Sequence, residues 1–209
     1  AHLTGLPVKL RLDRDDDMLI TGKRHDFLVN YKVGHDADGL IMAADIELSA
    51  RCGWSSDLSR SVNDRALFHA ENAYFVPSIR ITSNRYKTHT VSNTAFRGFG
   101  GPQGMMGIER CMDVIAKVTG KDPLDVRLLN LYGVSGRETP YGMSVDEDVL
   151  PELIQRLADT SDYRSRRKEI DLENRQSNRF RRGIALTPVK FGISFTASFL
   201  NQAGALLNV

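Results

Sequence analysis

The sequence feature that most limits the possible folds is a stretch in which apolar side chains recur at every second position. Six of them lie between residues 40 and 50. They are Leu40, Met42, Ala44, Ile46, Leu48 and Ala50. Because successive side chains of a strand point to opposite faces of a sheet, this spacing predicts one long β-strand with a buried face.

More strands are predicted before that stretch. Residues 8–12 and 27–33 show the same alternation, and residues 18–21 are interpreted as a short strand that follows an acidic turn at 13–17. Residues 35–39 end in glycine and connect two alternating runs, which is typical of a hairpin. We therefore expect an antiparallel sheet in this part of the chain.

Helical spacing predominates in much of the rest of the chain. Four segments carry helix signals, namely residues 58–72, 102–119, 122–129 and 144–157. Gly120 is a suitable cap after the second segment, and Asp122 followed by Pro123 is a typical start for the third. Residues 144–147 fit a capping box before the fourth segment, and residues 79–87 are predicted as a strand.

Charge dominates residues 162–182. Eight cationic and four acidic side chains are interleaved there, which favours a solvated helix over a nucleic-acid-binding patch. Residues 184–190 and 202–209 are interpreted as strands. Since the second of these ends at the last residue, we expect a piece of a longer polypeptide. We predict a single α+β unit over residues 1–209, with helices packed on a mixed or antiparallel sheet.

Composition narrows the class of protein. The chain is 41% hydrophobic and 26% charged with a net charge of +2, so neither nucleic acid nor an anionic membrane is expected as a partner. It has no apolar run of membrane-spanning length and no signal peptide, and we expect a cytoplasmic protein. Cys52 and Cys111 are far apart and the histidines are scattered. No disulfide framework and no metal ion held by protein side chains is therefore expected.

Residues 96–104 have the most unusual local composition. They contain four glycines, two phenylalanines and one arginine, and a predicted helix follows. Glycine permits positive φ and close approach of backbone N–H groups, which favours a cradle for an anionic group at the helix N-terminus. The two phenylalanines indicate that the bound group also has a flat apolar face. We interpret this loop as part of a cofactor or substrate site.

A polar stripe recurs at helical spacing in the segment 58–72. Ser61, Arg65 and His69 are separated by four residues each, so they lie on one side of a helix. On spacing alone, a solvated face is favoured. The alternative is that the stripe faces a polar pocket beside the glycine-rich loop.

Seven segments share their residues, order and spacing with one known family. They are residues 16–22, 24–25, 31–34, 65–69, 93–103, 190–196 and 199–205. The family is the molybdenum hydroxylases, and the chain resembles the molybdopterin-binding domain or subunit of its xanthine dehydrogenase members. Lys23 and Asp26 depart from the family's usual Gly and Pro in a turn. Residues 133–180 match weakly and carry no assigned role.

The resemblance implies a purine-binding role for four residues. Arg65 resembles the residue that lies opposite the purine and offsets the negative charge that builds on the ring, which makes it a catalytic residue. Phe99 and Phe195 resemble the two phenylalanines that hold the heterocycle, one by its face and one by its edge. Thr196 resembles a residue that forms a hydrogen bond with the substrate.

The resemblance also implies contacts with the cofactor. Arg97 is similar to the residue whose backbone N–H contacts the molybdenum centre, with Gly98 after it. Ser61 and His69 then flank the same pocket behind the residues that touch the substrate. On the basis of the resemblance, the stripe of Ser61, Arg65 and His69 is therefore expected to face the pocket and not the solvent.

The implied activity is the oxidation of hypoxanthine and xanthine to urate in purine catabolism. Molybdopterin-bound molybdenum belongs to this domain, and electrons pass to 2Fe-2S clusters, FAD and NAD in partner domains or subunits. The rest of the molybdopterin domain is a further partner, and the complete enzyme is expected to be an oligomer. Two glutamates that the family uses lie outside the sequence, one on each side, so we expect a chain truncated at both ends and inactive alone.

Two alternatives remain open. One is a family member that oxidises aldehydes or another N-heterocycle, and Arg65 argues for purines because aldehyde-oxidising relatives generally lack it. The other is a non-catalytic module that binds anions or nucleic acid through its arginine-rich helix and glycine-rich loop. Salt-dependent binding of oligonucleotides would distinguish the latter.

Overall fold

The structure, a computed structural model, describes residues 1–133, 136–145, 149–195 and 198–207. Within these ranges the chain forms six α-helices and three strands. They are α1 (Arg14–Ile20), β1 (Phe27–His35), β2 (Ile41–Gly53), α2 (Ser59–Phe68), β3 (Ile79–Lys87), α3 (Gly101–Thr119), α4 (Pro123–Leu129), α5 (Leu150–Thr160) and α6 (Tyr163–Gln176), followed by a 3₁₀ turn at Ser198–Leu200.

The strands form one mixed sheet in the order β1–β2–β3. β1 and β2 are antiparallel, with Tyr31 opposite Ile46, whereas β2 and β3 are parallel, with Ile46 opposite Ile81. A parallel pair requires a crossover connection, and α2 lies in it. The α+β class and the mixed sheet are therefore confirmed, and the antiparallel part is limited to the β1–β2 hairpin.

Burial along β2 follows the alternation in the sequence with one exception. The members of the alternating series that are buried in β2 are Ala44, Ile46, Leu48 and Ala50. Met42 is 53% exposed, although it belongs to the same alternating series. The pairing register shifts between Gly34 and His35, and such an irregularity changes which face of the sheet a neighbouring residue occupies.

α3 is the central helix and lies against α2, α4 and β1. It buries Met105, Ile108, Met112 and Ile115, which confirms the predicted apolar stripe. Gly120 ends it with φ +70°, and the N–H of Gly120 donates to the carbonyl of Ala116. The start of α4 is also confirmed, because the Asp122 carboxylate accepts a hydrogen bond from the Leu124 N–H at 2.8 Å.

The prediction for the N-terminal segment was wrong. Residues 8–12 form no strand, and α1 replaces the predicted turn and short strand at 13–21. The Asp13 carboxylate accepts from the Asp16 N–H at 2.8 Å, and three aspartates occupy the first turn of α1. Capping and the helix dipole favour that arrangement, so local polar interactions decided the structure where no neighbouring strand was present.

The prediction of strands near the C-terminal end was also wrong. Residues 184–190 and 202–207 have no regular secondary structure, and residues 208–209 lie outside the described part. Side-chain contacts described below hold the first of these segments. The solvated helix predicted in the charged region is confirmed as α6, whose buried residues are Tyr163 and Ile170.

The capping box predicted before α5 is not its start. α5 begins at Leu150, with Val149 as the N-cap residue, so Ser144 lies too far upstream to cap it. Asp146 and Glu147, the other members of the predicted box, lie outside the described residues.

Asn130 connects the β1–β2 hairpin to α4. Its side chain is fully buried, its Oδ1 accepts from the Ile41 N–H at 2.8 Å, and its Nδ2 donates to the carbonyls of Gly39 and Val126. Gly39 has φ +89° in the hairpin turn. One side chain therefore satisfies three buried backbone groups, each of which would cost about 1–3 kcal/mol if left unpaired.

We predict that Asn130→Ala loosens the start of β2. The Ile41 N–H would lose its acceptor, and its hydrogen–deuterium exchange should accelerate about tenfold or more, because 1.4 kcal/mol corresponds to a factor of ten. Exchange would be measured on peptides that cover residues 36–46. Asn30→Ala, which removes an exposed side chain from β1, serves as the control, and unchanged exchange in Asn130→Ala would contradict the prediction.

Candidate active site

Three parts of the fold meet around one cavity of about 310 Å³. They are the C-terminal end of α2 with the adjoining His69, the stretch that carries Tyr141 and Met143, and the segment 190–195. Residues that line the cavity include Arg65, Phe68, His69, Tyr141, Lys190 and Phe195. Cationic, aromatic and imidazole side chains therefore surround a space large enough for a small heterocycle.

Arg65 projects from α2 and is only 3% exposed. Its guanidinium donates to the carbonyls of Gly192 and Ser194, and to that of Ile193 at 3.3 Å. Burial lowers the pKa of Arg65. Its Nε is buried without an acceptor in the described part of the chain, so the cation retains unused hydrogen-bonding capacity.

His69 lies one helical turn after Arg65 and has a defined tautomer. Its Nδ1 lies 2.7 Å from the Arg65 carbonyl, and its Nε2 lies 2.9 Å from the Gly192 N–H. A carbonyl only accepts, so Nδ1 carries the proton and Nε2 accepts from Gly192. Burial lowers the pKa of His69, and the charges of Arg65 and Lys190 act in the same direction.

Phe99 and Phe195 are brought together by the fold. Their ring centroids are 5.1 Å apart with an interplanar angle of 65°, an edge-to-face arrangement. The Arg65 guanidinium lies 5.8 Å from the centroid of Phe99. The two rings therefore contact each other directly, edge to face.

The glycines of the loop serve mainly to bring protein elements together. A Cβ on Gly100 would lie 2.0 Å from the Val62 carbonyl oxygen, and one on Gly104 would lie 2.1 Å from that of Ala66. The interpretation of all four glycines as a cradle for a ligand was therefore too broad, since these two allow α3 to approach the backbone of α2. Gly98, at φ +88°, permits the turn itself.

Arg97 presents backbone groups beside this turn. Its carbonyl accepts a hydrogen bond from the Arg24 guanidinium at 2.7 Å, and that guanidinium stacks 4.4 Å above the Phe96 ring. Within the described part of the chain, the Arg97 N–H donates to no acceptor. The residue thus has a fixed backbone and a free donor, which fits contact with an electronegative cofactor group.

An ion pair next to the cavity was missed by sequence reasoning. The Lys190 ammonium donates to the fully buried Glu71 carboxylate at 2.7 Å and to the Tyr141 hydroxyl at 2.9 Å. The carboxylate raises the pKa of Lys190 against the opposing effect of burial. No helical or strand period relates residues 71 and 190, so local spacing carried no signal for this pair.

Four predicted site residues do not line the cavity, namely Ser61, Arg97, Gly98 and Phe99. The Phe99 ring nevertheless contacts Phe195, which does line it. Ser61 lies one turn before Arg65 on α2, is half-buried, and is not among the residues that line the cavity. Thr196 lies outside the described residues. In the described ranges there is no cluster of three or more His, Cys, Asp or Glu residues suited to a metal ion, and no helix with the length and apolarity needed to span a membrane.

Comparison with known proteins gives one family. Residues 1–131 match the family described as molybdopterin cofactor-binding domain. The chain is 48% identical over all 209 residues to a xanthine dehydrogenase of Drosophila subobscura, and 46% identical to a xanthine dehydrogenase/oxidase of Mus musculus. It spans only 16% of the length of each of these relatives.

A solved structure has the same fold. The aldehyde oxidoreductase of Desulfovibrio desulfuricans superposes with a TM-score of 0.74 and 27% sequence identity, covering 83% of this chain and 19% of that one. Fold and sequence together define part of a molybdopterin cofactor-binding domain. The chain belongs to the molybdopterin cofactor-binding domain family, and it is similar to the corresponding part of the xanthine dehydrogenases.

We predict that Gly104→Ala separates α2 from α3. The added methyl group would overlap the Ala66 carbonyl oxygen, and overpacking of this kind costs about 1–3 kcal/mol. Faster hydrogen–deuterium exchange in peptides from both helices would show the effect. Gly34→Ala is the matched control, because a Cβ there meets nothing within 4 Å, and equal behaviour of the two variants would refute the prediction.

Proposed function

We propose that this chain forms the substrate pocket of a molybdenum hydroxylase that oxidises hypoxanthine and xanthine to urate. The observation that carries the proposal is the buried Arg65 guanidinium beside the edge-to-face pair of Phe99 and Phe195. The similarity to xanthine dehydrogenases over the whole chain supports it. Residues 1–209 then act as a single α+β unit within a longer molybdopterin-binding domain, in an enzyme of purine catabolism.

A purine would replace contacts that the protein makes with itself. Its ring enters between Phe99 and Phe195, which requires the two rings to separate from their 5.1 Å contact. A purine carbonyl then takes over hydrogen bonds that the Arg65 guanidinium gives to the carbonyls of Gly192 and Ser194. The substrate therefore needs both a flat face and an acceptor.

Arg65 would act on the charge that develops during the reaction. Addition of an oxygen nucleophile to an electron-poor ring carbon places negative charge on the ring and its carbonyl oxygen. A buried guanidinium close to that oxygen stabilises the transition state more than the neutral substrate, because little water screens it. Thr196 would supply a further hydrogen bond, and Ser61 and His69 would support the residues in contact with the substrate.

Bound molybdopterin would supply the molybdenum that exchanges oxygen and electrons with the ring. The free backbone N–H of Arg97 and the turn at Gly98 are the groups of this chain that would contact it. The 2Fe-2S, FAD and NAD cofactors would lie in partner domains or subunits of a cytoplasmic, oligomeric enzyme. Neither a membrane nor nucleic acid is part of this proposal.

Aldehyde oxidation is the second candidate, favoured by the structural likeness to an aldehyde oxidoreductase. The same aromatic pair could hold a substituted aromatic aldehyde. Such a substrate has no carbonyl acceptor remote from the reacting carbon, so it would leave the Arg65 guanidinium with its present partners. Turnover of a purine and an aromatic aldehyde by the same preparation therefore distinguishes the two functions.

We predict that Arg65→Ala, in the complete enzyme containing this chain, lowers kcat for xanthine by at least ~10²-fold, the scale of losing one transition-state charge stabiliser. Steady-state kinetics with xanthine and with an aromatic aldehyde would test it. Arg60→Ala, an exposed residue of the same helix, is the control and should keep wild-type rates. Unchanged xanthine turnover in Arg65→Ala would exclude the assigned role.

Phe99→Ala is predicted to affect chiefly the positioning of the ring. Loss of the aromatic wall should raise KM for purines about tenfold, since aromatic contacts contribute about 0.5–1.5 kcal/mol beyond the apolar area that they bury. Phe180→Ala, which removes a 70% exposed ring outside the site, gives the comparison. Wild-type purine kinetics in Phe99→Ala would refute a direct contact with the ring.

A further inference from the structure

The segment 188–195 is held against α2 and the turn after it by side chains in place of a neighbouring strand. Asn72 Nδ2 donates to the Pro188 carbonyl at 2.9 Å, and the Lys190 N–H donates back to Asn72 Oδ1 at 3.1 Å. The next backbone N–H to be fixed in this way is that of Gly192, which donates to His69 Nε2. The hydrogen bonds thus continue along the segment toward Phe195.

His69 forms the link in this series of hydrogen bonds that lies nearest to Phe195. Its ring contacts Phe191 with centroids 4.9 Å apart, and its Nε2 accepts the Gly192 N–H three residues before Phe195. Its Nδ1–H donates to the carbonyl of Arg65, the residue whose guanidinium binds the carbonyls of 192–194. One imidazole therefore connects the backbones that carry both Arg65 and Phe195.

We propose that neutral His69, protonated at Nδ1 alone, is a positioning residue that fixes Gly192 and so sets where Phe195 meets the substrate ring. This inference rests on the proposed function of the pocket. Protonation of Nε2 would replace an acceptor by a donor, which would face the Gly192 N–H. The segment would then lose its attachment at this point, and Phe195 would lose its fixed position relative to Phe99.

The charges around His69 favour the neutral form. Arg65 on the same helix and Lys190 on the segment are both cations, and both oppose a positive charge on the imidazole. Glu71 and the Tyr141 hydroxyl face Lys190, to which they are hydrogen-bonded. Burial is the largest cause that lowers the pKa of His69 below its ordinary value of 6.5, and together with the two cations it outweighs the hydrogen bond to the Arg65 carbonyl, which raises that pKa. The attachment is therefore complete at neutral pH and is lost as the pH falls through that lowered pKa.

Two variants separate the roles of the two ring nitrogens. In His69→Gln, the side-chain oxygen reaches the place of Nε2 and can accept from Gly192 without titrating. In His69→Asn, the shorter amide reaches only the place of Nδ1, so it can bind the Arg65 carbonyl but leaves the Gly192 N–H without an acceptor. His89→Gln, at an exposed position outside the site, is the matched control.

The experiment measures KM and kcat for hypoxanthine in the complete enzyme from neutral to mildly acidic pH. We expect His69→Asn to raise KM about tenfold at neutral pH, on the scale of one lost hydrogen bond, with a smaller change in kcat. Wild type and His89→Gln should show KM rising as the pH falls through the lowered pKa of His69. His69→Gln should restore most of the affinity and lack that rise.

Hydrogen–deuterium exchange of peptides covering 190–195 reports the same attachment without turnover. It should be faster in His69→Asn than in wild type or His69→Gln. The inference would be overturned if these peptides exchanged in His69→Asn at the same rate as in wild type. It would also be overturned if KM of His69→Gln rose at acidic pH as much as that of wild type. A wild-type enzyme that turns over aldehydes but not hypoxanthine would instead overturn the proposed function, while the exchange result would still decide whether His69 holds Gly192.

Discussion

The close approach of α3 to α2 is the constraint on which the site depends. Gly100 and Gly104 place the backbone of the loop and helix against the carbonyls of Val62 and Ala66, where a methyl group would overlap them. Ala66 is the neighbour of Arg65, so the same contact fixes the distance between the guanidinium and the Phe99 ring. The relative placement of Arg65 and Phe99 is therefore a consequence of helix packing, and the parts of the backbone that carry them cannot move independently.

A second set of interactions adds the segment 188–195 to this rigid base. That segment has no strand partner in the described part of the chain, and polar side chains of α2 and the following turn hold its backbone. Such an attachment consists of a few individual hydrogen bonds, each about 0.5–1.5 kcal/mol net. It can therefore release locally while the core remains folded. The releasable segment meets the rigid base where the Phe195 ring contacts the Phe99 ring.

Sequence patterns predicted several parts of the fold that are determined locally, although α1, which is also determined locally, was predicted as a turn and a strand. The limits of β3 and the start of α4 follow from alternation and from Asp122 before Pro123. The parallel pairing of β2 with β3 and the irregular path of 184–190 were missed because they depend on contacts between distant residues. The same holds for the site, where the Arg65–His69 stripe was visible as a period of four. The hydrogen bond from Gly192 to His69 and the Glu71–Lys190 ion pair could not be seen in the sequence, because no local period relates the two residues of either pair.

The hydrogen bonds from Arg65 to the carbonyls of Gly192 and Ser194 mean that the pocket contains its own competitor. A tethered peptide carbonyl has a high effective concentration, so any ligand binds with an apparent affinity reduced by the fraction of closed pockets. Weak or purely apolar molecules would leave the guanidinium with its internal partners and gain little. Discrimination would thus begin before any chemical step, at the exchange of one acceptor for another.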